Sequence, residues 1–225
     1  IDTSGLRPLA QRATGNVAVV GDAGGHGTAL PNTPMMVSSM AEARELFAKV
    51  DKETGAVTAA GPLYHSLVTV MEQSPGPSRV YAVATSGGAA DPDYQGGLAT
   101  LAAVPVQFVC LARETDPARL AALHEHVETS SKDGNRRMAI AMVDPDLEVA
   151  AGQKFAAQAE VAYKDLKSSS GRMILAAARV ATEGGTPDVD VAAAVMGAVA
   201  GLDVHISILM KQVRGVSIPL ARQFS

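Results

Sequence analysis

Short, continuously apolar runs recur along this chain, separated by stretches long enough for a helix. Val17, Ala18, Val19 and Val20 form one run, Val106, Phe108, Val109, Cys110 and Leu111 dominate another, and 138–143 is a third. A strand that alternates apolar and polar residues can leave one face to water, whereas a strand without that alternation needs apolar cover on both faces. Such strands, joined through helices of roughly ten or more residues, define the α/β class: a mostly parallel sheet with helices on both faces.

The remaining elements follow from local chemistry. Residues 34–37, 79–84 and 173–177 read as further strands. Ser39 and Glu42 have the spacing of a capping box, and Met40, Ala43, Leu46, Phe47 and Val50 continue at helical spacing, which predicts a helix running through Val50. Pro62 opens a second helix, with Leu63, Leu67, Val70 and Met71 on one stripe. Residues 97–104 and 153–166 are weaker helical stretches. Asp116-Pro117 is an N-cap followed by a first-turn proline, with Leu120, Leu123 and Val127 beneath it. Residues 191–202 are Ala-rich and apolar, bounded by Asp190 and Asp203. No repeat of roughly 20 to 50 residues and no low-complexity linker divides the chain. One α/β domain is expected over residues 16–225, behind an N-terminal extension at 1–15.

Composition narrows the partners. Charge is scattered in both signs and sums to −4, without a basic cluster to neutralise phosphates, so nucleic acid is not an expected partner. Four Phe, four Tyr and no Trp leave little for a base-stacking platform. One cysteine excludes an internal disulfide and any multi-cysteine metal site. The long uncharged stretch 94–112 contains Gly96, Gly97 and Pro105 and reads as a helix followed by a strand, so no membrane span is expected. The start, Ile1-Asp2, carries no basic or apolar leader pattern.

Few groups invite chemistry. The loop from Gly21 to Gly27, Gly21-Asp22-Ala23-Gly24-Gly25-His26-Gly27, follows a strand, where phosphate-binding turns occur. It lacks the Lys-Ser/Thr pair of a P-loop, and Leu30-Pro31-Asn32-Thr33-Pro34 follows where a dinucleotide site needs a helix. An irregular surface loop is the favoured reading. Fragments around Asp2, His26 and Ser39 are similar to the triad segments of subtilisin-type proteases, but Ser39 follows His26 too closely and serves as a helix cap. Cys110, inside an apolar run, reads as a small buried hydrophobe. His124 and His126 point about 200° apart on one helix, cannot share a metal from it, and are expected in solvent. His65 and His205 are isolated. Asp144-Pro145-Asp146 has carboxylates suited to Mg²⁺ but reads first as a capped turn. No catalytic, cofactor-binding or metal-ligating residue is therefore assigned.

The order of segments is more informative than any reactive group. The stretch Gly27-Thr28-Ala29-Leu30-Pro31-Asn32-Thr33-Pro34-Met35-Met36-Val37-Ser38-Ser39-Met40-Ala41-Glu42-Ala43-Arg44-Glu45-Leu46-Phe47 resembles the start of the core domain in contractile tail sheath proteins of phages and related injection systems. Residues 63–71 are similar to the helix that follows there, 79–83 to the next strand, 137–144 to a mid-core strand, and 193–203 to a late segment ending in aspartate. The resemblance spans most of 16–218 in the same order. It departs at Ala48, where the family usually has glycine, at Ile1 to Gly15, which is unlike the family's N-terminal arm, and at Phe224-Ser225, short of the usual C-terminal domain and arm.

The resemblance implies a subtilisin-like α/β core that is not a protease. Its role would be structural: a sheath subunit without cofactor, polymerising with copies of itself and meeting tail-tube and baseplate proteins. It would be assembled in the host cytoplasm and located in the virion tail. The alternative is a Rossmann-like small-molecule enzyme that binds phosphate through the Gly21 to Gly27 loop. An accessory interaction domain with the same core is a third possibility.

Overall fold

A computed structural model describes residues 15–88, 90–203, 205–209 and 211–223. The chain runs through β1 (Asn16–Gly21), β2 (Met35–Val37), α1 (Met40–Phe47), β3 (Ala48–Val50), β4 (Val57–Ala60) and α2 (Pro62–Met71). Next come β5 (Arg79–Ala84), α3 (Tyr94–Thr100), β6 (Phe108–Leu111), α4 (Pro117–Lys132), β7 (Met138–Met142) and α5 (Phe155–Ala162). The last elements are β8 (Met173–Ala176), β9 (Thr182–Glu183), β10 (Thr186–Pro187) and α6 (Val191–Ala200).

The central sheet has the order β2-β5-β1-β6-β7-β8. Strands β5, β1, β6, β7 and β8 are parallel, and only the edge strand β2 runs antiparallel to its neighbour. This is the expected α/β architecture. The apolar runs are continuous because each strand serves two cores. Val17, Val19, Ala82, Ala84, Cys110, Ile140 and Met142 face a layer built from α1, α2 and α6. Ala18, Val20, Val83, Val109, Leu111, Ala139 and Ala141 face the opposite layer, built from α3, α4 and α5. Successive side chains of a strand point to opposite faces, so neither layer tolerates a polar alternation.

Topology explains why helices cover both faces. From β1 the chain crosses to β5 on one side and then returns over β1 to reach β6 on the other. A right-handed crossover must change face when its direction of travel reverses, so α2 and α3 lie on opposite layers.

Helix caps fall where expected. Ser39 Oγ accepts from Glu42 N at 3.1 Å, while the Glu42 carboxylate accepts from Ser38 N at 2.7 Å, one residue before the usual box partner. Asp116 accepts from Ala118 N. One expectation fails: α1 ends at Phe47, and Val50, predicted on its stripe, lies in β3. Ala48 leaves the helix in an extended conformation (φ −134, ψ 159) and pairs with β4, because Phe47 has already filled the core contact that a further helical turn would have sought.

Asp190 ties three elements together. It is fully buried as the N-cap of α6, and its carboxylate accepts from Ala193 N at 2.9 Å, from Ser66 Oγ of α2 at 2.6 Å and from Arg113 N, just past β6, at 2.9 Å. Burial pushes its carboxyl above the ordinary range, and these hydrogen bonds with the nearby Arg113 charge pull it back. Arg113 has φ +51, a left-handed conformation that costs a residue with a side chain about 1 kcal/mol and persists where surrounding contacts fix it. Asp190 holds its amide and Asp188 O holds its guanidinium. Asp190→Ala removes a cap and leaves two buried donors without an acceptor. The expected loss is about 3 kcal/mol, against about 1 kcal/mol for Ser66→Ala, read from urea midpoints at pH 7.

Candidate functional site

In open α/β sheets ligands bind beyond the carboxyl ends of the strands, where successive crossovers diverge. Here that point lies between β1 and β6, directly under the loop from Gly21 to Gly27. The crevice is filled from both sides. A Cβ added at Gly21 would lie 2.4 Å from Ala112 Cβ, and one at Gly61 would lie 2.4 Å from the Ala23 carbonyl carbon, so the start of α2 is pressed onto the loop. Leu63 N donates to Asp22 O at 3.0 Å.

Several donors in and just after the loop are already engaged. Gly24 N donates to Asp22 Oδ1 at 2.9 Å, His26 N to Ala23 O, and both Thr28 N and Ala29 N to Leu46 O at the end of α1. Gly24 and Gly27 have φ +69 and +83, and a Cβ on Gly27 would meet Leu46 O at 2.1 Å. These glycines let the chain double back against α1 and on toward β2, in accord with an irregular loop.

The other sequence candidates are dispersed around this crevice. Ser39 caps α1, His26 stands against Gly24, and Asp2 lies outside the described residues. Cys110 is fully buried, and burial with Asp190 nearby pushes its thiol well above its ordinary range, which suits a packing role. Asp144 accepts from Asp146 N at 2.9 Å and its own amide donates to Tyr163 Oη at 2.9 Å, the geometry of a capped turn. Asp146 in turn accepts from Thr182 Oγ1 at 2.5 Å and pairs with Arg222 at 2.8 Å. Among the described residues no three His, Cys, Asp or Glu side chains are grouped to hold a metal, and no helix is long and apolar enough to cross a membrane. His65 is exposed on α2, its ring edge-on to Tyr64, and burial of part of the ring with the Arg113 charge lowers its pKa.

Two polar clusters were not anticipated. Glu114 is buried beyond β6: Oε2 accepts from Tyr94 Oη at 2.9 Å and from Arg119 Nη1 at 3.3 Å, and Oε1 accepts from the amides of Thr115 and Asp116. It fastens the entry of α4 to the start of α3. The second cluster corrects an expectation. His124 and His126 are both half-buried rather than solvated: His124 Nε2 lies 3.8 Å from Glu128 Oε1, and Arg137 Nη1 lies 3.0 Å from Nε2 of His126. A guanidinium only donates, so Nε2 is the unprotonated nitrogen and Nδ1 carries the hydrogen. Arg137 itself is buried and donates to the Leu101 and Val104 carbonyls.

The sheet also presents an open edge. Ala139 N donates to Arg172 O and Val143 N to Ala176 O, so alternate β8 residues turn to β7, and the backbone groups of Met173 and Leu175 turn outward. Among the described residues no strand pairs with that outer side. The described chain begins with Gly15 at the amino ends of the strands, where its O accepts from Ser78 N. It closes near Arg222, which donates to Val180 O past the carboxyl end of β8.

Compared with known proteins, the chain matches no protein family and no curated protein.

Burial and the Arg137 charge lower His126 to a pKa of about 4, from an ordinary 6.5. Between those values the unfolded chain takes up a proton that the fold rejects, so stability is full above about pH 6.5 and is lost as pH falls toward about 4. After allowance for partial exposure the loss is about 2 kcal/mol. Urea midpoints measured across that window should fall more steeply for the wild type than for His126→Gln, whose amide oxygen can still accept from Arg137.

Proposed function

We propose that this chain is the core of a contractile tail sheath subunit, a structural protein whose work is repeated contact with copies of itself. The observation that carries this is the order of the resembling segments on the fold. The stretch 27–47 covers β2 and α1, 63–71 lies on α2, 79–83 on β5, 137–144 on β7 and 193–203 on α6. The resemblance therefore follows the structural core, in sequence, through three strands of the sheet and the layer of α1, α2 and α6.

The open side of β8 supports the same reading. An unpaired strand edge accepts an added strand from a neighbour. Where the donated strand and the accepting edge are different surfaces the contact is heterologous, and repeated without ring closure it builds a helical tube. Contraction would then be a change between two packings of nearly rigid subunits. Partners under this proposal are further copies, tail-tube proteins and baseplate proteins, and the location is the virion tail after assembly in the host cytoplasm.

A Rossmann-like enzyme has one observation in its favour: the parallel strands take the order of a doubly wound nucleotide-binding sheet, with the glycine loop at the divergence point. Against it stand the amides of Gly24 and His26, engaged within the loop, and the filled crevice. Electron microscopy of the concentrated protein should reveal rings or tubes of repeating subunits. Dispersed particles, together with saturable nucleotide binding abolished by Gly24→Ala/Gly25→Ala, would overturn the sheath proposal in favour of the enzyme.

A further inference from the structure

Charge that is scattered in sequence is sorted in space. Three of the parallel strands are entered through arginine: Arg79 opens β5, Arg136-Arg137 precede β7, and Arg172 precedes β8. The segments leaving four of the carboxyl ends are richer in acids than in bases, with Asp22 after β1, Asp91 and Asp93 after β5, Glu114 after β6, and Asp144 and Glu148 after β7, against Arg113, Lys154 and, after β8, Arg179. In a parallel sheet all entries lie at one pole and all exits at the other, so the repeated order becomes a basic amino edge and an acidic carboxyl edge.

Part of this has an internal cause. Helices begin at the carboxyl edge, and Asp93, Asp116 and Asp190 serve there as N-caps. Other charges have no such role. The side chains of Arg79, Arg136 and Arg172 at one pole, and of Asp91 and Glu148 at the other, have no hydrogen-bond or ion-pair partner among the described residues. All of these except the half-buried Arg172 are exposed. By contrast Arg119 and Arg222 at the acidic pole are paired with Glu114 and Asp146. Asp133 and Asp203 also lie near the basic pole, so its excess is local to the strand entries.

Each pole also exposes apolar surface. Beside Arg136 and Arg172 opens a cleft of about 560 Å³ lined by Phe108, Met138, Ile174 and Ile206. At the acidic pole Leu30, 69% exposed, projects from the loop that Asn32 N ties to Ala84 O at the end of β5. An apolar centre within a charged rim is the ordinary anatomy of a protein interface.

We propose that copies of this chain stack head to tail along the strand axis, the basic amino edge of one copy on the acidic carboxyl edge of the next. This rests on the self-assembly proposed above and names the surfaces that carry it. The contact joins unlike faces, so it does not close into a dimer. Opposite potentials favour this register, and acid against acid or base against base opposes the reverse.

The test is a charge swap followed by sedimentation velocity and electron microscopy. The wild type should associate increasingly with concentration at low salt and dissociate as salt rises toward about 0.5 M, where exposed charges are screened within a few ångströms. Arg79→Glu/Arg136→Glu and Asp91→Lys/Glu148→Lys should each associate at least about tenfold more weakly alone, and an equimolar mixture of the two should recover association. Recovery on mixing also shows that both variants fold, and circular dichroism checks each separately. Three results would overturn the proposal: a wild type that stays monomeric, variants that associate as the wild type does, or a basic edge that binds duplex DNA and loses it in the arginine variant. If the variants still form tubes, the sheath proposal survives and this contact does not. If chains respond to the swap without ever forming tubes, the contact survives and the sheath proposal does not.

Discussion

Everything in this fold is arranged around a sheet that must be covered twice. Every residue of β1 is buried, and the strand pairs with β5 on one side and β6 on the other, so no edge or face of it meets water. That leaves each position one of two cores to serve. It requires side chains such as Val and Ala that fill a layer without polar atoms, and it sends the connecting helices to opposite faces. Burial of apolar surface on both sides supplies the drive, at about 25 cal/mol per Å² removed from water. The polar groups that remain inside are those that join layers. Asp190 reaches α2 and the exit of β6 while capping α6, and Glu114 holds α3 to α4.

These internal carboxylates have consequences for what the carboxyl edge can do. In many α/β proteins that edge is a shelf for ligands, and its loops keep free amides. Here the amides of Gly24, His26, Thr28 and Ala29 donate to neighbouring protein oxygens, while Gly61 lies close against the loop backbone. The same edge supplies many helix starts, and the caps add aspartates to it. An edge occupied by its own loops, rimmed by exposed acids, is better suited to meeting another surface than to enclosing a small molecule.

The sheet was the most legible part of the sequence, because continuous apolar runs admit few arrangements. Caps were legible in part: Ser39 and Asp116 were read as caps and stand one residue before α1 and α4, while Asp190 was seen only as the boundary of an Ala-rich stretch. The β3–β4 hairpin was not read. Its strands are short and half-exposed, and its signal lies in the turn, where Asp51 Oδ1 accepts from Glu53 N and Thr54 N and Gly55 takes φ +69. His126 was read as solvated because its partner is not on its own helix. Its place between Leu123 and Val127 marked an inward face, but a buried arginine from the start of β7 is a contact that only the fold creates. Charge sorting escaped for the same reason, since it exists only once parallel strands align their entries.

The segment after α6 gives the fold a strap outside the sheet. The segment 211–223 crosses from Gln73, which exchanges hydrogen bonds with Arg214, to the far end, where Arg222 grips Val180 O and Asp146. A pull on this segment along the strand axis would first load the contacts of Arg222 and Gln73, outside the sheet. The ladder bonds of the parallel strands would share such a load in shear, where unzipping would break them one at a time, so the strap peels before β1 is deformed.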